Sequence, residues 1–156
     1  MLLVIFLGFG GIMFWAATRF PQSFEGSVKG NGLTLVPFGC SSARAANTLT
    51  IPLRPDPSPE GLNEENRAII ISDNSQEGTT TKPRAVQVSS IAWRNEAQEL
   101  TTMECRDITS DMTVFSKRRN GKRIIREDLW NGTIKATCTA PVIGEINIDL
   151  DLKNCD

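Results

Sequence analysis

The chain has 156 residues, with 17 basic and 18 acidic side chains, and contains neither His nor Tyr. This balance argues against charge-driven binding to nucleic acid or to an acidic surface, and the length allows one domain. His is the commonest general base and a very common metal ligand, so its absence removes the usual routes to acid–base catalysis and metal binding. We therefore expect no enzymatic activity, no cofactor and no nucleic-acid partner.

The first predicted element is an apolar segment, residues 1–18, with no charged side chain before Arg19. As a helix it would be roughly 27 Å long, close to the thickness of the hydrocarbon core of a bilayer. We predict a transmembrane anchor over residues 1–20 that stays attached to the protein. A cleaved signal peptide and a buried helix are the alternatives. Gly8, Gly10 and Gly11 would let a helix of another membrane subunit approach closely, so we predict that they form a docking face.

Sequence features disagree about the side of the membrane on which the domain lies. Arg19 and Lys29 follow the apolar segment, and the positive-inside rule would place the domain in the cytoplasm. Four cysteines in a small β domain instead favour an oxidising compartment, and residues 131–133 form a glycosylation sequon. We predict a single-pass membrane protein whose domain is extracytoplasmic (periplasmic, lumenal or extracellular).

Residues 21–61 are predicted to form an extended, Gly- and Pro-rich segment beside the membrane, with some strand. Four prolines fall at near-alternate positions in this segment, which predicts turns or polyproline geometry and excludes both a helix and a central strand. They are Pro52, Pro55, Pro57 and Pro59.

Part of this region resembles a known family. The sequence from Trp15 through Gly30-Asn31-Gly32-Leu33 to residues 37–39 is similar to the membrane-exit segment of periplasmic adaptor (membrane-fusion) secretion proteins. The resemblance implies an adaptor in an export or envelope assembly. The chain departs from that family in having neither coiled-coil heptads nor lipoyl-type halves.

Residues 62–156 are predicted to form a β domain. Apolar runs near residues 68–71, 86–93 and 112–116 indicate strands, with a bulge expected at residues 89–90. Asn120-Gly121 is the strongest short-range signal for a hairpin. From residue 146 to residue 153 apolar and polar side chains alternate, which predicts a strand with one buried face, and residues 134–138 are its predicted hairpin partner. The fold class is therefore mainly β: a small antiparallel sandwich or barrel of about seven to nine short strands after the N-terminal helix.

The four cysteines are widely spaced and form no C-x-x-C pair, so disulfides are favoured over free thiols or a metal site. They are Cys40, Cys105, Cys138 and Cys155.

The predicted final hairpin restricts how these cysteines pair. If Ala140 faces Glu145, Cys155 falls near Trp130 and lies more than ~20 Å from Cys138, beyond the reach of a disulfide. Cys138 and Cys155 should therefore not pair with each other. Their partners are the remaining two cysteines, in an order that this geometry leaves open.

Five basic side chains surround the predicted turn at residues 120–121. They are Lys117, Arg118, Arg119, Lys122 and Arg123. Together they would contact anionic lipid headgroups or an acidic partner. The alternative is a solvated tip whose charge prevents edge-to-edge pairing. Without interleaved aromatic residues, base stacking is unsupported.

Two functional hypotheses remain. The first is a non-enzymatic accessory or structural subunit of a membrane protein complex, anchored in the bilayer and docked through its glycines. The second is a binding or adaptor module. A stoichiometric complex in detergent extracts would support the first hypothesis, whereas a ligand-binding cavity in the isolated protein would support the second.

Overall fold

The computed structural model describes residues 21–43, 47–57, 67–75, 81–119, 125–140 and 143–156, and the side chains of residues 117–119 and 125–127 are not described. Within these ranges no helix is long and apolar enough to cross a membrane. The predicted anchor at residues 1–20, with its glycine docking face, lies outside the described residues.

The described residues contain eleven strands. They are β1 (Ser23–Gly30), β2 (Leu33–Pro37), β3 (Ser41–Ala43), β4 (Thr48–Pro55), β5 (Arg67–Asp73), β6 (Arg84–Ala85), β7 (Val88–Arg94), β8 (Leu100–Thr102), β9 (Glu104–Arg119), β10 (Ile125–Ala140) and β11 (Gly144–Cys155). The mainly β prediction is confirmed. The prediction of seven to nine short strands needs correction. The described residues contain eleven strands, and β9 and β10 are long, with 16 residues each. Residues 104–111 of β9 are mostly polar and carry no alternation that would have revealed the strand.

All eleven strands belong to one curled sheet, a half-barrel rather than two stacked sheets. Its order is β6-β9-β10-β11-β1-β2-β4-β5-β7-β8, with β3 attached to β4, and its ladders are antiparallel. The first and last long strands are neighbours: Ser23 of β1 lies opposite Lys153 of β11. The chain therefore begins and ends its fold side by side.

The two ends of this strand order meet along an interrupted seam. β6 and β7 are consecutive parts of one stretch, residues 84–94, and β8 and the first part of β9 are consecutive parts of another, residues 100–114. The β6–β9 and β7–β8 ladders therefore both join these two stretches. A backbone bond from Val86 N to Met112 O (2.8 Å) extends one ladder toward the other. Between the ladders, residues 104–111 pair only with β10 in the described part of the chain.

The concave face of the sheet encloses the core. In β11 the buried side chains alternate with polar ones, as predicted, because successive residues of a strand face opposite sides. The largest core side chains come from strands all round the half-barrel. They include Leu35, Leu49, Ile51, Leu53, Ile69, Ile71, Ile91, Trp93, Met112, Trp130, Ile134, Ile148, Leu150 and Leu152.

Residues 21–57 contribute β1 to β4 to this sheet. Gly30 lies opposite Leu33, and the hairpin closes through Asn31 and Gly32, which both have positive φ (46° and 73°). A tight two-residue turn of this kind needs positive φ at both positions, hence its preference for Asn-Gly. From Ser23 onward, the region that resembles a membrane-exit segment is therefore a hairpin within the sheet.

The prediction that the prolines exclude a central strand is wrong for Pro52. β4 contains this residue and pairs with β5 on one side and with β2 and β3 on the other. Pro52 lies where the neighbour changes from β2 to β3, and its carbonyl accepts a hydrogen bond from Phe38 N (3.2 Å). The N–H and C=O groups of a residue in an antiparallel strand point to the same side. The N–H that Pro52 lacks would therefore point to the gap between β2 and β3, as its carbonyl does. No β4–β5 bond is lost.

A bulge between β5 and β7 and a close backbone approach between β9 and β10 shape the sheet locally. Ser72 pairs with Ser90 but Asp73 with Val88, which leaves Ser89 as the extra residue and confirms the predicted bulge. Gly132 of β10 has φ +123°, and a Cβ there would lie 1.9 Å from the carbonyl oxygen of a β9 residue. Only glycine permits the close approach of β9 and β10 at this position.

The strands run alternately between two ends of the half-barrel. One end, which we call the mouth, carries the β1–β2 turn, the start of β5, the β7–β8 turn and the start of β11. The other, the terminal end, carries the start of β1 and the last residue of β11. There the side-chain amide of Asn154 donates to the carbonyl of Pro21 (3.1 Å).

Candidate ligand-binding site

The mouth is bordered by a hydrogen-bonded turn between β7 and β8. Asn95 holds it: its Oδ1 accepts from Glu99 N (2.9 Å), its side-chain amide donates to Glu99 Oε2 (2.8 Å), and its carbonyl accepts from Gln98 N (3.0 Å). Asn side chains commonly bond to the local backbone and so favour turns. Glu96 and Ala97, which lie between Asn95 and Gln98, are exposed at the tip of the turn.

A cavity of about 330 Å³ opens at the mouth and is largely open to solvent. Its lining residues are Leu33, Arg67, Trp93, Asn95, Glu96, Ala97 and Ile143. Trp93 is only 4% exposed and packs with the core, whereas Leu33 and Ile143 are half-buried. The indole Nε1 of Trp93 finds no hydrogen-bond acceptor among the described residues. The volume lies at the lower end of that of small-molecule sites, and an apolar lining with few polar groups is typical of them.

Arg67 is the charged group of this cavity. Register places it opposite Leu53, a fully buried residue, so it projects from the concave face of the sheet. Its side chain is 20% exposed and forms an ion pair with Glu96, whose side chain is 62% exposed. A mostly buried guanidinium thus has as its counter-ion a solvated carboxylate on a turn. Because the carboxylate stays largely in water, the pair contributes little to stability.

No functional role was assigned to Arg67 from the sequence. A signal was present in the spacing. Arg67, Ile69, Ile71 and Asp73 follow one another at every second position, the period of one face of a strand. A charge at each end of an apolar face indicates a strand whose two ends reach the two openings of the half-barrel.

At the other end of that face, Asp73 forms an ion pair through one carboxylate oxygen and accepts two hydrogen bonds through the other. Its Oδ2 lies 2.6 Å from Arg84 Nη2, and its Oδ1 accepts from the backbone N–H groups of Ser75 (3.1 Å) and Gln87 (2.9 Å). Nearby strands have a second buried polar pair, in which Ser116 Oγ donates to Asp128 Oδ1 (2.5 Å). These contacts tie strands together, and no group of three or more metal-ligating side chains occurs in the described ranges.

The cysteines form two disulfides, as predicted: Cys40–Cys155 and Cys105–Cys138, with Cα distances of 5.3 and 4.0 Å. The expected exclusion of a Cys138–Cys155 pair is confirmed, and the structure supplies the pairing that the sequence left open. Two disulfides indicate an oxidising, extracytoplasmic environment.

The register of the final hairpin differs by one residue from the regular one assumed above. Thr139, not Ala140, faces Glu145. A bulge then adds a residue to β11, where Asn154 has positive φ, so Cys155 does lie opposite Trp130. The two shifts compensate each other, and the position expected for this cysteine is correct.

The basic residues near the predicted turn stay a prediction. Lys117, Arg118 and Arg119 belong to β9, whose backbone pairs antiparallel with β10 as expected for a hairpin, but their side chains are not described. Lys122 and Arg123 lie outside the described residues. The sequon asparagine, Asn131, lies within β10, and its Oδ1 accepts from Asn154 N (2.9 Å).

Comparison of the chain with protein-family models, with curated proteins and with solved structures gives no significant match.

Proposed function

We propose that the protein is a non-enzymatic binding module that works outside the cytoplasm and takes a small apolar ligand in the cavity at the mouth. The observation that carries the proposal is this cavity of about 330 Å³, which is lined by the buried Trp93 and the half-buried Leu33 and Ile143. Apolar surface that is concave and rimmed by a few polar groups favours ligand binding, because a ligand there loses most of its contact with water.

The indole N–H signals in a ¹H–¹⁵N NMR spectrum test the proposal. The chain has three tryptophans, and Trp93→Phe assigns the signal of interest. A neutral, water-soluble apolar probe, 4-phenyl-1-butanol, should shift the Trp93 signal saturably. The buried Trp130, which does not line the cavity, should keep its signal unchanged.

A pair of matched variants makes the test specific to the cavity. Ile143→Asn places an amide in the cavity wall and should weaken probe binding at least about fivefold, since burying an unpaired polar group costs roughly 1–3 kcal/mol. Ile108→Asn makes the same change at an exposed position outside the cavity and should leave binding unchanged. Equal effects of the two variants, or no saturable shift in the wild type, would contradict the proposal.

A role as an accessory subunit of a membrane complex is the second candidate. It rests on the apolar residues 1–18 and on the glycines among them, which favour close helix approach. Changing Gly10 and Gly11 to Leu keeps the segment apolar while blocking that approach. Loss of co-purifying subunits with unchanged membrane insertion is the expected result, and retention of both would refute the docking role.

A further inference from the structure

We infer that the ligand carries an anionic group, and that this group takes the place of Glu96 as the ion-pair partner of Arg67. This inference rests on the proposed binding at the mouth and deepens it by naming the class of ligand: a small apolar anion, such as an aryl- or alkyl-carboxylate. The juxtaposition that carries it is an arginine on the concave, apolar face of the sheet, within a cavity that also presents Trp93, Leu33 and Ile143.

The position of Arg67 is unusual for a charge that serves only an ion pair. Its register partner Leu53 is completely buried, and its own side chain keeps only a fifth of its surface in water. A guanidinium at a site shielded in this way binds an anion more strongly than one at an open surface, because the effective dielectric constant is lower. Arginine also offers a planar fork of donors that matches a carboxylate bidentately.

The present partner of Arg67 is easily displaced. Glu96 lies at the tip of the β7–β8 turn with 62% of its side chain in solvent, so it loses little when it rotates into water. The turn itself does not depend on it, because Asn95, Gln98 and Glu99 supply the hydrogen bonds that hold it. A ligand carboxylate would make the same ion pair, and the apolar part of the ligand would add contact with Trp93, Leu33 and Ile143.

The property to test is therefore the preference of the cavity for a negative charge on the ligand. Three probes that share the same phenylbutyl carbon skeleton and differ only in their polar head can measure it. 4-Phenylbutyrate, 4-phenyl-1-butanol and 4-phenylbutylamine carry an anionic, a neutral and a cationic head at neutral pH. With the full chain, the NMR titration of the Trp93 indole should give the order carboxylate, alcohol, amine from tightest to weakest. The carboxylate should bind roughly tenfold more tightly than the alcohol, as expected for one charge-assisted interaction.

Two variants assign that preference to the proposed pair. Glu96→Gln removes the internal competitor at an exposed position and should tighten binding of 4-phenylbutyrate several-fold more than binding of the alcohol. Arg67→Gln should abolish the preference for the carboxylate over the alcohol, and Arg67→Lys should restore part of that preference. The exposed position of Glu96 means that its variant folds even if Arg67→Gln does not.

The outcomes separate the two claims. Equal affinity for all three probes in the wild type, with no effect of Glu96→Gln, overturns the anion inference and leaves the apolar site standing. Tightest binding of the amine overturns it as well, because Glu96 would then be the recognising group. No saturable shift with any probe removes both the inference and the proposed function.

Discussion

Arg67 lies directly opposite Leu53 in the β4–β5 ladder, so an arginine and a fully buried leucine project from the same face of the sheet. The face continues through Ile69 and Ile71 to Asp73, and both charged ends are paired, one with exposed Glu96 and one with Arg84. The same strand face therefore supplies a displaceable ion pair at the mouth and a fixed one toward the other end.

The fixed pair should contribute far more stability than a surface pair. We expect Asp73→Ala to lower the free energy of unfolding by about 3–5 kcal/mol, because the cation of Arg84 and two backbone N–H groups lose their acceptor in a buried place. The matched control is Asp149→Ala, which removes the partner of Lys135 in an ion pair with both side chains 62% exposed. It should cost about 0–1 kcal/mol. Urea denaturation measures both, and similar losses would contradict the assigned difference.

The two disulfides should differ in their contribution to stability. Cys40 and Cys155 are separated by 115 residues and Cys105 and Cys138 by 33. On the loop-entropy account these crosslinks stabilise the fold by about 4.8 and about 3.7 kcal/mol. Double Cys→Ala variants, compared in urea, should show the larger loss for Cys40 and Cys155. Non-reducing peptide mapping should recover both crosslinked pairs, and four freely alkylated thiols would refute the extracytoplasmic location together with the pairing.

Gly132 should be less replaceable than Gly144. Both have positive φ, but a Cβ at Gly132 would collide with the backbone of Asp111, whereas at Gly144 it would meet open space. Gly144→Ala should therefore cost only the backbone strain, about 1–2 kcal/mol. Gly132→Ala adds the displacement of β9 and should cost about 3 kcal/mol or more. Thermal unfolding of the two variants distinguishes these values, and equal melting temperatures would show that β9 yields without cost.

The basic residues around the predicted turn at residues 120–121 give a prediction for membranes or acidic partners. Changing Arg118, Arg119, Lys122 and Arg123 to Gln should leave the unfolding free energy within about 0.5 kcal/mol. If these residues form a contact, binding to anionic liposomes should fall by about 1 kcal/mol per charge at low salt and by less at high salt. Identical sedimentation of variant and wild type with such liposomes would contradict a contact role and support the alternative, a solvated turn.

The sequence was sufficient where one strand face carries an unbroken alternation. β11 could be predicted from its own residues, and the exclusion of Cys138–Cys155 follows from strand geometry alone. The hairpin of β1 and β2 was not predicted from the sequence, although its turn, Asn31-Gly32, is the same dipeptide that predicted the turn at residues 120–121. Glycine weakens strand propensity, and the need for Gly26, where a Cβ would lie 2.1 Å from the Asp149 carbonyl oxygen, arises only once β11 lies beside β1.

The site depended on contacts that no local pattern contains. Arg67 becomes a cavity residue because β4 places Leu53 opposite it. Trp93 joins it from β7, and Ile143 joins it from the turn before β11. Pro52 is a similar case, since a proline is tolerated only because two short strands share that edge of β4. Long-range pairing of this kind must be known before either residue can be interpreted.

The pairing of Ser23 with Lys153 also determines where residues 1–20 attach relative to the cavity. Residues 1–20 join the fold at Pro21, beside Asn154 and at the end opposite to the mouth. A tether at that end would hold the domain upright, with the cavity directed away from the surface to which it is attached. Ligand would then be collected from the aqueous compartment and not by lateral diffusion within a lipid layer.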